Sequence, residues 1–128
     1  MSLSPPADAA SLQSRSRKRF QKLERTVSPV MALDRNGTIR ATTRAARQLL
    51  EYRADASLEG SFFAHVHAKH QDRIMHDLAD LVCRGKQRAQ WLVRMRTGNE
   101  RWRWYRVSAY NHLADEAEDC IFIHLRSV

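Results

Sequence analysis

The sequence predicts an α+β domain: a five-stranded antiparallel sheet with its helices on one face, preceded by a flanking helix. Three observations predict it. Gln87–Leu113 alternates apolar and polar side chains on both sides of a Gly98-Asn99 turn, the pattern of a long hairpin. Two short β segments, Val30–Leu33 and Thr38–Ala41, flank an Asn36-Gly37 turn, and an apolar segment, Cys120–Leu125, follows near the C-terminus. Between the two hairpins lie segments of helical period. Strands at both ends with helices inserted between the second and third fit an antiparallel sheet covered on one side.

Each element has its own signal. Residues 1–10 (MSLSPPADAA) are small and polar, contain Pro5-Pro6, and are expected to be a disordered tail. Residues 11–26 are expected to be the flanking helix. Over Ser11–Arg25, Leu12, Phe20 and Leu23 form a narrow apolar stripe amid charge. So narrow a stripe wants a partner surface: the open face of a sheet, or the same helix in a second chain. Pro29 argues that this helix ends by Ser28. Residues 27–128 make the domain proper. Val30–Leu33 (VMAL) is its first strand, and Asn36-Gly37 favours a primed hairpin turn into Thr38–Ala41. Thr42 or Thr43 can cap the helix Arg44–Glu51, whose inner face is Ala45, Ala46, Leu49 and Leu50.

Tyr52–His70 is less regular, with Leu58, Phe62, Phe63 and Val66 spaced to pack inward from short turns. Gln71–Arg84 reads as a helix, with Ile74, Leu78, Leu81 and Val82 on one face, Asp72, Asp77 and Asp80 on the wet side, and Gly85 as its stop. In the long hairpin, Trp91, Val93 and Met95 oppose Leu92, Arg94 and Arg96. After the Gly98-Asn99 turn, whose residues tolerate positive φ, Tyr105, Val107 and Ala109 oppose Trp102, Trp104, Arg106 and Ser108. Ala114–Asp119 is an acidic loop, and Cys120–Leu125 (CIFIHL) is apolar enough to be a central strand.

Composition bounds the function. The 128 residues suit one domain able to bury a core without staples. Cys83 and Cys120 are far apart and form no CxxC pair, which fits a reduced, cytoplasmic protein. There is no apolar run near 18 residues, and the N-terminus lacks the apolar core of a signal peptide. The net charge is +8, and half of it comes from residues 1–26, where Arg15, Arg17, Lys18, Arg19, Lys22 and Arg25 oppose only Asp8 and Glu24. A solvated helix face accounts for this charge; a patch for nucleic acid or anionic lipid is the sharper alternative. No serine sits in a Gly-x-Ser-x-Gly elbow, no glycine loop could cradle phosphate, and no nucleophile–base pair is visible. No catalytic residue is therefore named and no enzyme activity is expected.

Four stretches in order resemble the PAS domain with its C-terminal PAC segment, over about Phe20 to Val128. Ser28–Gly37 (SPVMALDRNG) is similar to the family's first strand and Asp-x-x-Gly turn. Thr43–Leu50 (TRAARQLL) is similar to its NPAAEELL helix, with Thr43 for the usual Asn and Arg44 for the usual Pro. Gly60–Asp72 (GSFFAHVHAKHQD) is similar to its segment ending in His-Pro-Glu-Asp, with Ala68 for Pro. Arg96–Ser108 (RTGNERWRWYRVS) is similar to its hairpin, with Gly98-Asn99 for Lys-Asp and Glu100 for the turn Gly. The resemblance implies a sensory or signal-relay module that binds a small ligand between sheet and helices or mediates dimerisation. It implies an attached or partner effector such as a histidine kinase, nucleotide cyclase or transcription regulator.

The departures from the family bear on cofactors. The flavin-binding branch needs a cysteine where Phe63 stands, so covalent flavin chemistry is not expected. Haem-binding relatives carry a His about eleven residues before the terminal Gly; here that position is Ile74, and His76 is turned by about 200° from it, so haem is not expected either. No particular cofactor is named. His65, His67, His70 and His76 are close in sequence but lack the Cys or carboxylate repeat of a metal site, so no metal ligand is named.

A pocket, if present, would be lined by the inward strand positions Val30, Ala32, Trp91, Val93 and Met95, facing Leu50, Phe63, Ile74 and Leu78; the same residues could simply fill a core. Trp102 and Trp104 fall on the outer face, where Leu12, Phe20 and Leu23 are the natural cover, in cis or across a homodimer. A rival reading takes Arg94, Arg96, Arg101, Arg103 and Arg106, interleaved with Trp102, Trp104 and Tyr105, as a stacking platform for nucleic acid.

Overall fold

The computed structural model describes residues 19–128. The expected tail over residues 1–10, and Leu12, lie outside the described residues. The described part of the flanking helix, α1, is residues 19–25. It stops where Val27 adopts a left-handed φ of 58° and Ser28 N–H donates back to the Leu23 carbonyl at 3.3 Å. This is the reversal that a glycine commonly makes at a helix end.

The sheet has five antiparallel strands: β1 (Val30–Leu33), β2 (Ile39–Thr42), β3 (Arg88–Arg96), β4 (Trp102–His112) and β5 (Cys120–Ser127), in the spatial order β2-β1-β5-β4-β3. Helix α2 (Arg44–Leu49), a 3-10 turn (Phe62–His65) and helix α3 (Ala68–Arg84) lie in sequence between β2 and β3. The fold class is as the sequence predicts.

Local chemistry moves several boundaries. Helix α3 starts three residues earlier than the apolar period suggests, because His67 Nδ1 accepts from Lys69 N–H at 3.1 Å and caps it. Helix α2 stops at Leu49, and Glu51 then takes a left-handed φ of 63°. Both hairpin turns differ from expectation, the first from the primed type and the second in which residue takes positive φ. In the first, Asp34 and Thr38 close the loop, the Asp34 carboxylate accepts from Asn36 and Thr38 N–H at 2.9 Å each, and only Gly37 has positive φ. In the second, Thr97 and Arg101 close the loop and Glu100, not Gly98 or Asn99, has the positive φ, 61°. Each is a three-residue loop ending in one left-handed residue, the next commonest hairpin solution.

The core sits between the helices and the inner sheet face. Met31 and Leu33 of β1, Trp91, Val93 and Met95 of β3, Tyr105, Val107 and Ala109 of β4, and Ile121, Ile123 and Leu125 of β5 pack with Leu50, Phe62, Val66, Ile74, Leu78 and Leu81. Polar tips inside this layer are satisfied. The Trp91 indole N–H donates to the Asp77 carboxylate at 2.7 Å, and the Tyr105 hydroxyl to the Leu49 carbonyl at 3.0 Å. Val30 and Ala32 are not in this layer. They are paired with His124 and Phe122 and lie in a separate cluster on the outer face. The expected inward parity of β1 is thus shifted by one residue, which sends every side chain of a strand to the other face.

Candidate functional site

The resemblance noted in the sequence would place a ligand at the inner face. Of the nine residues expected to line a pocket, Leu50, Ile74, Leu78, Trp91, Val93 and Met95 join one buried cluster, with Phe63 half-buried against it. Val30 and Ala32 stand apart under α1. Leu50, Ile74 and Met95 are fully buried, together with Met31, Leu33, Phe62 and Tyr105, so bulky side chains occupy the centre of this layer. Met31 and Leu33 are the β1 residues that face the helices, and the unbroken apolar run VMAL gave no alternation from which to find them.

The outer face divides into two parts. Over β1 and β5, Phe20 and Leu23 of α1 pack on Val30, Ala32, Cys120 and Phe122, with Tyr110 beside them. Arg19 fastens this cover: its guanidinium lies 5.7 Å from the Phe122 ring centre and 3.1 Å from the Glu118 carboxylate. Burial pushes the Cys120 thiol up to about 12, so it is a packed, unreactive thiol. Over β3 and β4, Trp102 and Trp104 remain 41 % and 45 % exposed, with Leu92 at 48 %. Neither tryptophan is in the α1 cluster; their neighbours come from the start of α3. The His67 ring stands edge-on to Trp102 at 4.8 Å and the His70 ring to Trp104 at 5.5 Å, while the Arg94 guanidinium lies 5.6 Å from the Trp104 ring centre. A backbone bridge brings them there, Val66 pairing with Met95 and His67 N–H donating to the Arg94 carbonyl at 2.9 Å. The His70 imidazole is held below its ordinary pKa, first by desolvation and then by the positive charges of His67, Arg94, Arg73 and Lys69.

Two junctions couple the layers, one buried and one at the surface. Thr43, fully buried, caps α2 by accepting from Ala46 N–H at 3.2 Å, accepts from Val30 N–H at 3.0 Å, and donates to the Ser28 carbonyl at 2.6 Å. Beside it, the Glu24 carboxylate of α1 accepts from Arg44 N–H at 2.6 Å. The end of α1, the start of β1 and the first turn of α2 therefore meet at one point. The second junction is Glu51. Its carboxylate accepts from Arg101 at 2.6 Å, Asn99 at 2.8 Å and Arg103 at 3.2 Å, and these hydrogen bonds, Arg101 foremost, pull it down to about 2. Gly98 N–H donates to the Leu50 carbonyl at 2.8 Å, and a Cβ on Gly98 would lie 2.4 Å from the Glu51 carbonyl oxygen. The tip of the long hairpin is thus clamped to the end of α2.

This clamp divides the expected stacking platform. Arg101 and Arg103 belong to Glu51, and Tyr105 points inward; Arg94, Arg106, Trp102 and Trp104 remain on the outer face. The four clustered histidines do not gather around a point either, since His67 and His70 pack on the tryptophans and His76 faces Asp80 at 3.8 Å. Among the described residues, the group that brings possible metal ligands together is His112, Asp115 and Glu118, within 4.8 Å of one another. There the Glu118 carboxylate is engaged by His112 at 2.6 Å and by Arg19, an ion-pair network that ties the acidic loop to α1. No described helix is long and apolar enough to cross a membrane.

Comparison with known proteins agrees with this architecture. A family model described as the PAS fold matches residues 23–128. Among solved structures, the chain is similar to the PAS domain of a protein from Colwellia psychrerythraea, at 10% identity and a TM-score of 0.69 over 88% of this chain and 95% of that one. It is similar to the PAS domain of an HTR-like protein from Haloarcula marismortui, at 17% identity and a TM-score of 0.66 over 90% and 99%. It is also similar to a domain of a sensory box sensor histidine kinase/response regulator from Geobacter sulfurreducens, at 16% identity and a TM-score of 0.63 over 87% and 93%. A search of curated proteins found no match. With the family pattern spanning all five strands and the intervening helices, the chain belongs to the PAS family.

Proposed function

We propose that this PAS domain is a cytoplasmic signal-relay module with a filled core, acting as a homodimer and passing a change in packing to an attached or partner effector such as a histidine kinase, a nucleotide cyclase or a transcription regulator. The observation that carries this reading is the junction at Thr43, whose buried hydroxyl ties Ser28 and the start of β1 to the first turn of α2, while Glu24 of α1 accepts from Arg44 N–H in that same turn. A change in how α1 lies on the outer face alters the hydrogen bonds that start α2, and the reverse holds equally. The large residues at the centre of the inner layer favour relay by repacking over a retained ligand.

The dimer is built on α1 and on the covered part of the outer face beneath it. The reading is tested by sedimentation velocity on the full chain and on a chain lacking residues 1–18. The expected result is a dimer on the order of tens of micromolar that loosens on truncation. A clean monomer for the full chain at that concentration contradicts it.

A further inference from the structure

We propose that the uncovered part of the outer face, across β3, β4 and the end of β5, is a docking surface for an acidic segment of another protein that carries apolar side chains. The charge on this face is of one sign. None of the outward-facing positions of β3, β4 and β5 is acidic, whereas Arg94, Arg106 and Arg126 all point outward. Arg106 and Arg126 are paired directly across β4 and β5, an arrangement of like charges that disfavours the free sheet. Arg94, Arg106 and Arg126 form no ion pair among the described residues, whereas Arg96, Arg101 and Arg103 each have a glutamate.

The same face is apolar. Leu92 lies directly across from Arg106, and Trp104 directly across from Arg94. With Trp102 they form an exposed apolar patch framed by cations, and a depression lined by Leu92, Arg106, Ser108, His124 and Arg126 adjoins it. Exposed apolar area within a field of one sign suits a partner of opposite sign that also offers apolar contacts.

Two other occupants fit less well. In a two-fold homodimer through this patch the surface meets itself, so the arginines of one copy face those of the other. Nucleic acid would need open tryptophan faces for base stacking. The Arg94 guanidinium already lies against Trp104, and His67 and His70 stand against the two rings.

The test uses the full chain, a dye-labelled peptide of repeating Glu-Leu-Glu-Trp, its Lys-for-Glu counterpart, and oligothymidine. Binding is read by anisotropy and by the indole N–H resonances of the isotopically labelled protein. Trp91 is the internal control, since its side chain is buried on the inner face and its N–H is held by Asp77. The acidic peptide is expected to shift the Trp102 and Trp104 indoles and leave Trp91 in place. Affinity should fall at least about tenfold in Arg106→Glu/Arg126→Glu, and again between about 50 and about 300 mM salt. The Lys peptide should bind the charge-reversed variant better than the wild type. Tighter binding of oligothymidine than of the acidic peptide overturns the proposal in favour of nucleic acid. Trp104 shifts that grow with protein concentration alone overturn it in favour of a second copy. No binding, or equal binding by the charge-reversed variant, overturns it outright. Sedimentation of the same variant keeps this outcome separate from the dimer built on α1.

Discussion

Replacing Thr43 by valine keeps the shape of the side chain and removes one hydroxyl. That hydroxyl is fully used: both lone pairs accept, from Val30 and Ala46 N–H, and its proton goes to the Ser28 carbonyl. Loss of the cap on α2 costs about 1 kcal/mol. Leaving the buried Val30 N–H without a partner costs a further ~2 kcal/mol. The half-buried Ser28 carbonyl can turn to water, so the expected total is about 3 kcal/mol, a large fraction of the ~5–15 kcal/mol typical of a domain. Thr43→Ser keeps all three hydrogen bonds and loses one buried methyl, about 1 kcal/mol. Urea unfolding followed by tryptophan fluorescence and far-UV circular dichroism measures both, with an unchanged m-value as the check that the denatured state is the same. If the valine variant is as stable as the serine variant, the hydroxyl does not fasten the Ser28–Val30 segment to α2, and the proposed relay junction fails with it.

Four further substitutions concern the clamp, the hairpin tip and the core. Glu51 is depressed to about 2 from an ordinary value of 4.5, so its contribution to stability is complete above about pH 4.5 and is lost as pH falls towards 2. The stability gap between the wild type and Glu51→Gln should therefore close over that window, and a gap independent of pH would show that the charge is not involved. Glu100→Gly relieves the left-handed strain at the hairpin tip and should stabilise by about 0.5–1 kcal/mol after the entropy of glycine is subtracted. Gly98→Ala should destabilise by about 2 kcal/mol or more, because its Cβ meets the Glu51 carbonyl; thermal melts of the pair that move in the same direction would refute the turn assignment. Asp77→Ala leaves the buried Trp91 N–H without its acceptor and should cost ~2 kcal/mol, with the Trp91 indole resonance moving and those of Trp102 and Trp104 unmoved.

The long hairpin was legible because its strands face the helices on one side and a more open surface on the other, so period-two alternation survives in the sequence. The first strand was not. All four residues of Val30–Leu33 are buried, the inner pair by the helices and the outer pair by α1, and a strand covered on both faces has no alternation to read. The turns differ from expectation for a local reason: Asn36-Gly37 signals a primed two-residue loop and Gly98-Asn99 offers two residues that tolerate positive φ, but closure by Asp34–Thr38 and Thr97–Arg101 makes each loop three residues long. In the second loop the left-handed position is Glu100, where the family pattern has glycine, and Gly98 answers a different need, close approach to Glu51. Nothing in the sequence points to Glu51 as the clamp, since its partners lie about fifty positions away. The packing of His67 and His70 on the tryptophans depends in the same way on one long-range bridge to β3.

Native mass spectrometry of the purified full chain tests the central claim of a ligand-free relay dimer most directly. The account predicts a species of twice the chain mass with nothing added. A monomer would contradict the relay through α1, and an added mass retained after desalting would contradict the filled core.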